Sequence, residues 1–168
     1  ETRIATHTAD RAEEVRIDRA NLFPSFHAGY KLAKTLQLGA SYSRRIDRAS
    51  LENLRPYGTV EDAYTVFEGN PRLKDQSTDA YEASVQFRPG KFEAGATIYA
   101  RETRRLWSKS YSVNAAGTSV YSYVNAGNRW SSGAQFDLGF SVLPRLKAHA
   151  SANLFDERHM TAYRYSAP

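Results

Sequence analysis

Two polar segments of the sequence carry aromatic and charged side chains whose chemistry suits ligand binding. Flat rings beside amides and charged groups can stack on a sugar or hold an acidic metal chelate. The side chains that we expect to contact a ligand are Tyr57, Tyr64 and Arg72 in the first segment and Trp107, Tyr111, Tyr121 and Tyr123 in the second. Surface decoration without a ligand is the alternative interpretation of the same residues.

Patterns typical of catalysis or metal binding are weak. Without cysteine the chain can form neither disulfides nor thiolate metal sites. The histidines are His7, His27, His149 and His159. Their spacing is not that of a zinc site. Asp156 with His159, or Glu82 with Glu93, are conceivable acid–base pairs, but no nucleophile motif accompanies them. We therefore predict no enzyme activity, no metal site and no cofactor.

Composition excludes several classes of protein. The net charge is +5, but Lys and Arg are interspersed with Asp and Glu, which indicates a mixed, solvated surface rather than a nucleic-acid-binding stripe. No apolar run approaches the roughly 20 residues of a membrane-spanning helix. The N-terminal residues carry no signal-peptide pattern. We expect any export signal to lie outside this chain.

Apolar and polar residues alternate with period two in three pairs of segments, which predicts three β-hairpins. The clearest apolar positions are Tyr81, Ala83, Val85 and Phe87, followed by Phe92, Ala94, Ala96, Ile98 and Ala100. The other two hairpins are predicted at residues 22–43 and 134–154. Residues 2–8 predict one further strand, connected through the charged residues 10–14.

The connections between these strands alternate in length. Short turns at residues 33–35, 88–91 and 143–145 close the hairpins, whereas long segments, about 47–78 and 104–128, separate them. In an outer-membrane barrel short turns face the periplasm and long loops face the outside. Each alternating run is close to the roughly 9–11 residues that a tilted membrane strand needs.

Several short motifs occur in a fixed order along the chain. They are Asn21-Leu22-Phe23-Pro24-Ser25, Ser41-Tyr42-Ser43-Arg44-Arg45-Ile46-Asp47-Arg48, Leu54-Arg55-Pro56-Tyr57, Gly69-Asn70-Pro71-Arg72-Leu73, Tyr81-Glu82, Tyr123-Val124-Asn125-Ala126-Gly127 and Gly133-Ala134-Gln135-Phe136. This order resembles the C-terminal half of the barrel of TonB-dependent outer-membrane receptors. Ala49 stands where that family usually has Pro, and Asp75-Gln76 replaces the usual Pro-Glu, so the subfamily stays open.

The resemblance implies an all-β fold: an antiparallel, up-and-down transmembrane β-barrel segment of about seven or eight long strands, part of a larger barrel of about 22 strands. We expect residues 1–168 to form a single barrel segment without the plug domain. Because the C-terminal Tyr165-Ser166-Ala167-Pro168 does not resemble the aromatic last strand of such barrels, we expect an internal segment.

The resemblance also implies a function, a location and partners. The parent protein would bind and import a scarce nutrient across the bacterial outer membrane, and a ferric siderophore, cobalamin and an oligosaccharide are all open as its ligand. The expected partners are outer-membrane lipid, the plug domain, the remaining barrel strands, the TonB complex through the plug, and the nutrient, but no nucleic acid.

Polar side chains between the apolar positions would then face the lumen and the plug. Those that we expect there include Glu82, Gln86, Arg88, Arg101, Asp137 and His149. A solvated wall without a specific role is the alternative. A separate arginine group, Arg44, Arg45, Arg48 and Arg55, could contact lipopolysaccharide phosphates or the plug, or form a solvated rim.

Two other functions stay open at this point. A porin or adhesin-like barrel without a plug would line a channel with the same polar residues. A soluble barrel of lipocalin type would instead turn its apolar faces inward around a small ligand, and would be a stable monomer without detergent.

Overall fold

A computed structural model describes residues 2–8, 11–17, 22–143 and 146–160. The strands found there are β1 (Thr2–Thr8), β2 (Arg11–Ile17), β3 (Ser25–Ala33), β4 (Leu36–Asp47), β5 (Gly58–Asp62), β6 (Thr65–Glu68), β7 (Gln76–Phe87), β8 (Phe92–Arg104), β9 (Trp107–Val113), β10 (Ser119–Asn125), β11 (Asn128–Leu143) and β12 (Leu146–Met160). Among these residues, no helix is long and apolar enough to cross a membrane. The predicted all-β class is confirmed.

The long strands form one antiparallel sheet with the order β12-β11-β8-β7-β4-β3. Sequence neighbours are also spatial neighbours, which is the up-and-down topology that the alternating connections predict. The sheet is the barrel segment, and we call it the barrel sheet. Its strands contain between 9 and 16 residues, so the longest exceed the typical soluble strand about threefold.

Strand register separates the barrel sheet into an apolar and a polar face. Leu38 lies opposite Val85, and Ala96 lies opposite both Val85 and Phe136, so apolar side chains continue across the strands on one face. Large side chains on this face are exposed, including Ile98 at 62%. Backbone hydrogen bonds are satisfied within the sheet, so such a face can lie against hydrocarbon.

The turns that close the first two hairpins lie at one end of the barrel sheet. The backbone N–H of Arg88 donates to the carbonyl oxygen of Thr35 at 2.8 Å, which links the two turns. Gly90 has a φ of 64°, a conformation that glycine adopts without a Cβ penalty. The third turn was predicted at residues 143–145, of which 144 and 145 lie outside the described residues.

Several barrel strands extend further than apolar alternation predicts. Alternation begins at Tyr81 and at Ala134, whereas β7 begins at Gln76 and β11 at Asn128. The reason is physical: apolar alternation reports contact with lipid, whereas the backbone ladder needs no apolar side chain to continue beyond the lipid.

The N-terminal hairpin corrects one expectation. β1 was predicted, but residues 10–14 were expected to be a charged connection, whereas β2 begins at Arg11 and pairs antiparallel with β1 from Thr8↔Arg11 to Thr2↔Ile17. Strand pairing is made by backbone groups, so charged residues at successive positions do not prevent it.

The two long connections fold together into a second sheet, which we call the loop sheet. Its order is β5-β6-β10-β9, and β6 pairs in parallel with β10 although the two strands come from different connections. Leu54, Phe67 and Leu73 belong to these connections and are the buried hydrophobic residues of the described part of the chain. Packing of the protein interior is therefore concentrated in the loops rather than in the barrel sheet.

Candidate ligand-binding site

The register between β9 and β10 gathers aromatic and charged residues on one face of the loop sheet. Tyr111 lies opposite Tyr121, and Lys109 lies opposite Tyr123. The parallel strand β6 places Phe67 beside Tyr121 on the same face. Because side chains alternate between faces along a strand, residues two apart in β9 and β10 share this side of the sheet.

The rings of this face contact one another, and we call Phe67, Lys109, Tyr111, Tyr121 and Tyr123 the aromatic cluster. The centroid of Tyr121 lies 5.2 Å from that of Phe67 and 5.9 Å from that of Tyr111. Phe67 also meets Tyr123 edge-on at 6.2 Å. The Lys109 ammonium lies 4.6 Å from the centroid of Tyr121, a cation–π geometry. The cluster thus combines stacked rings with a positive charge.

Tyr121 is also held at its hydroxyl. It donates a 2.5 Å hydrogen bond to Oε1 of Glu61 on β5, the edge strand that β6 separates from β10. This bond, together with desolvation, raises the pKa of Tyr121 to about 12. The hydroxyl therefore stays protonated throughout the physiological range, and its ring keeps a fixed orientation at the centre of the cluster.

Hydrogen bonds from two asparagines join the two long connections. The Asn125 side chain accepts from the backbone N–H of Lys74 at 2.8 Å and donates to the carbonyl oxygens of Lys74 and Arg105. Asn70 donates to the Tyr123 carbonyl oxygen at 2.9 Å. The loop sheet is consequently a preformed platform rather than two independent loops.

The predicted ligand-binding residues divide into two groups. Tyr111, Tyr121 and Tyr123 come together in the aromatic cluster, and Tyr111 is 66% exposed. Trp107 shares their face but donates its indole N–H to the Lys74 carbonyl oxygen at 2.8 Å, so it has a structural contact.

The other three predicted residues make different contacts. Tyr57 lies 5.3 Å beneath the Arg55 guanidinium. Tyr64 lies in the β5–β6 turn, where its carbonyl oxygen accepts from Ser119. Arg72 is exposed in the turn after Asn70. Its backbone N–H donates to the side-chain oxygen of Asn70. None of these contacts joins the three side chains to the aromatic cluster.

The predicted lumen residues lie on or beside the polar face of the barrel sheet. Arg101 pairs with Glu82 at 3.3 Å, and His149 Nε2 lies 3.9 Å from Asp137 Oδ1. A recess of about 180 Å³ near the turns is lined by Gln86, Arg88, Asp137 and His149, among others. Across the described residues, no three side chains of the metal-ligating types converge on one point.

Some residues that shape the site were not singled out from the sequence as ligand contacts. Glu61 follows no motif, and its pairing with Tyr121 depends on the parallel β6–β10 contact, which no local pattern predicts. Asn70 does belong to the Gly69–Leu73 motif, so the place of this motif among the others could have indicated a structural role for Asn70.

The sequence of residues 1–167 matches the Outer membrane protein beta-barrel family. The chain therefore belongs to this family of bacterial outer-membrane barrels. The match covers the barrel sheet and the loop sheet together. Membership of this family indicates the bacterial outer membrane, so the soluble, lipocalin-like interpretation is wrong.

Solved receptor structures share the fold. The siderophore receptor PirA from Pseudomonas aeruginosa is similar over 83% of this chain and 28% of its own, with a TM-score of 0.71 and 17% identity. A mutant of the ferric enterobactin receptor PfeA from the same organism matches over 80% of this chain and 22% of its own, with a TM-score of 0.67 and 16% identity. The FrpB iron transporter from Neisseria meningitidis matches over 91% of this chain and 21% of its own, with a TM-score of 0.61 and 15% identity.

The chain thus spans between 21% and 28% of the length of these receptors. None of the curated proteins matches it. The barrel sheet has the fold expected for a segment of a larger outer-membrane barrel.

Proposed function

We propose that this chain is a barrel segment of an outer-membrane receptor that captures a scarce nutrient with its loop sheet and admits it through the barrel. The observation that carries the proposal is the aromatic cluster, in which three tyrosines and Lys109 lie on one face of a sheet made entirely from the long connections. The connections that form this sheet leave the barrel strands at the end opposite the short turns, and this end is the outer side in such barrels.

The chemistry of the cluster favours a flat ligand that carries negative charge. Aromatic faces stack on planar rings, and a lysine beside them attracts an anionic group. A ferric siderophore with planar chelating groups meets both conditions. Three of the similar solved structures are a siderophore receptor, a ferric enterobactin receptor and an iron transporter, which agrees with this class of ligand.

The remaining parts of the mechanism would come from outside this chain. We propose that residues 1–168 contribute one segment of the barrel, that the other strands close it, and that a plug domain fills the lumen. Energy from the TonB complex would then act through the plug. The position of Glu82, Gln86, Arg88, Arg101, Asp137 and His149 on or beside the polar face supports the proposal that these residues face such a plug.

Binding measurements on the full-length protein test the proposal. Ferric enterobactin, cobalamin and a maltooligosaccharide would be offered as separate probes, and binding would be measured by equilibrium dialysis. We expect ferric enterobactin to bind and the substitution Tyr111→Ala to weaken its binding about tenfold, since one stacked ring contributes roughly 1–3 kcal/mol in comparable contacts.

A matched control lies on the same strand. Ser110 is exposed and points to the opposite face of β9, so Ser110→Ala should leave the affinity unchanged. Equal binding by Tyr111→Ala and the parent protein would exclude the aromatic cluster as the binding surface. Binding of cobalamin or the oligosaccharide in place of the ferric chelate would keep the receptor function and change the ligand class.

A further inference from the structure

Charged residues lie on the lipid-facing side of the barrel sheet, just beyond its apolar positions. Following β4 from Leu38 through Tyr42, the next residue on that face is Arg44. On β7 the residue on this face beyond Tyr81 is Asp79, and on β8 the corresponding residues are Glu102 and Arg104. A tyrosine pair, Tyr42 and Tyr81, with centroids 5.1 Å apart, separates these charges from the apolar side chains.

The height of these charges corresponds to the outer boundary of the membrane. Asp79 lies eight residues from Phe87, the last residue of β7 at the turn end. At about 3.3 Å per residue and a tilt of about 40°, this spacing is roughly 20 Å along the membrane normal. The apolar band of such barrels is about 25 Å tall and is bordered by aromatic residues. The charges therefore lie near the outer end of this band, next to the tyrosine pair that borders it.

Two of the arginines are fixed by a buried carboxylate. Asp79 is fully buried, and its oxygens accept from Arg44 Nε at 2.7 Å and from the Tyr42 hydroxyl at 2.8 Å. Arg104 lies 3.9 Å from the same carboxylate and forms a 2.6 Å pair with Glu102. These contacts hold both guanidinium groups on the outward face.

Arg105 adds a third guanidinium in an unusual backbone conformation. It is the residue other than glycine with positive φ in the described part of the chain, at 59°. Such conformations are uncommon without glycine and persist where the surroundings enforce them. Its side chain turns back to the outward face and donates to Ser77 Oγ at 3.3 Å. Within the described residues no carboxylate forms an ion pair with it.

These groups line one groove, which we call the arginine groove. It has a volume of about 540 Å³ and is lined by Leu22, Arg44, Ile46, Ser77, Arg104, Arg105 and Asn128. The three guanidinium groups outnumber the two nearby carboxylates, Asp79 and Glu102, which pair with Arg44 and Arg104, so the groove keeps a positive charge. Leu22 is 84% exposed and gives it an apolar wall. Charged donors beside an apolar wall at the membrane boundary match an amphipathic anion.

We propose that the arginine groove binds the phosphate of a phosphorylated lipid of the outer leaflet, with an acyl chain along Leu22 and the apolar face below. Guanidinium groups bind phosphate through paired, charge-assisted hydrogen bonds. Arg105 supplies a guanidinium that no carboxylate of the described residues pairs with, while Arg44 and Arg104 add long-range attraction. This site is separate from the aromatic cluster and does not depend on the proposed nutrient.

Lipid titration of the full-length protein tests the proposal. The protein in mild detergent would be titrated with lipid A and with lipid A from which both phosphates are removed, and bound lipid would be counted by native mass spectrometry. We expect the phosphorylated form to bind about tenfold more tightly, the size of effect that one hydrogen bond to a charged group supports. Equal affinities would overturn the proposal without any variant.

Two substitutions localise the site. Arg105→Asn removes the guanidinium but tolerates positive φ, so we expect about tenfold weaker binding of lipid A with the fold preserved. Arg129→Gln is the matched control, because Arg129 lies at the same height on the polar face of β11, opposite Thr103. Unchanged affinity in Arg105→Asn would overturn the assignment to this groove.

A competition experiment separates a lipid from a free anion. Inorganic phosphate is added to the complex of the parent protein with lipid A at increasing concentration. If the acyl chain contributes as proposed, millimolar phosphate leaves the lipid bound. Displacement by phosphate at the concentration of the lipid itself would show a general anion site and would contradict a lipid site.

Discussion

The barrel sheet and the loop sheet are stabilised in opposite ways. The barrel sheet has long, regular strands, yet its large apolar side chains are exposed, as with Ile98 at 62% and Phe136 at 45%. The loop sheet has short strands, of 4 to 7 residues, but the connections that form it contain the buried Leu54, Phe67 and Leu73. One sheet therefore depends on lipid for burial of its apolar surface, and the other buries its own.

This difference assigns different tasks to the two regions. A surface that rests on lipid tolerates variation in side-chain shape, provided that it stays apolar. A sheet with an internal core and specific asparagine contacts holds its side chains in fixed positions, which a binding site requires. The aromatic cluster is accordingly found on the region with the internal core.

The largest effect is expected from the core of the loop sheet. Leu73 is 1% exposed, and Leu73→Ala should destabilise the loop sheet by about 2–5 kcal/mol through lost burial and a cavity. Hydrogen exchange should then show faster exchange in β6 and β10 with unchanged protection in β8 and β11. The exposed Leu51 provides the control substitution Leu51→Ala. Equal loss of protection in both sheets would mean that they are one cooperative unit.

A charged residue on the lipid face should instead affect the barrel sheet. Leu138→Arg places a guanidinium within the apolar band, and we expect the free energy of unfolding in bilayers to fall by about 2–4 kcal/mol. Gln135→Arg on the polar face of the same strand is the control and should change stability far less. Similar losses for both variants would contradict the assignment of the two faces.

The asparagine contacts between the long connections are expected to matter less than the core. Asn125→Ala removes three hydrogen bonds to backbone groups and should lower the stability of the loop sheet by about 1–3 kcal/mol. Asn125→Asp keeps the acceptor for Lys74 but loses both donors, so it should not restore stability. The measurement is the exchange rate of the β9 and β10 amides, and recovery in Asn125→Asp would show that the acceptor alone is important.

The smallest effect concerns the Tyr121 hydroxyl. Its pKa is raised to about 12 from the ordinary 10.0, so the bond to Glu61 contributes fully below about pH 10 and is lost as the pH rises through about 12. The difference between the ultraviolet titration curves of the parent protein and the Tyr121→Phe variant isolates the titration of this hydroxyl. Glu61→Gln should return its pKa toward 10, and an unchanged titration would mean that another contact holds the proton.

The barrel sheet could be predicted from the sequence because each strand carries its own signal. Positions such as Val85 and Ile98 alternate with polar residues, and the length of the connections separates the two ends. The outer strand ends were missed where Asp79 and Arg104 replace apolar residues on the lipid-facing side, since burial of charge by mutual pairing leaves no periodic signal.

The loop sheet could be predicted only in its composition. Tyr111 and Tyr121 were expected to act together as loop residues, but their contact depends on strand pairing between β9 and β10 and on the parallel pair Thr65↔Ser119. Parallel pairing between distant segments has no local sequence pattern. Tyr57 and Tyr64 have the same residue type as Tyr121 and lie elsewhere, so residue type alone did not separate the cluster from its surroundings.

The most direct test of this account is the side of the membrane on which the loop sheet lies. The chain has no cysteine, so single cysteines can be introduced at Tyr64 in the loop sheet and at Lys34 in a short turn. A membrane-impermeant maleimide applied to intact cells should label Tyr64→Cys, and Lys34→Cys only after the outer membrane is permeabilised. Labelling of Lys34→Cys but not Tyr64→Cys in intact cells would place the loop sheet in the periplasm and contradict the role proposed for it in capturing a nutrient from outside.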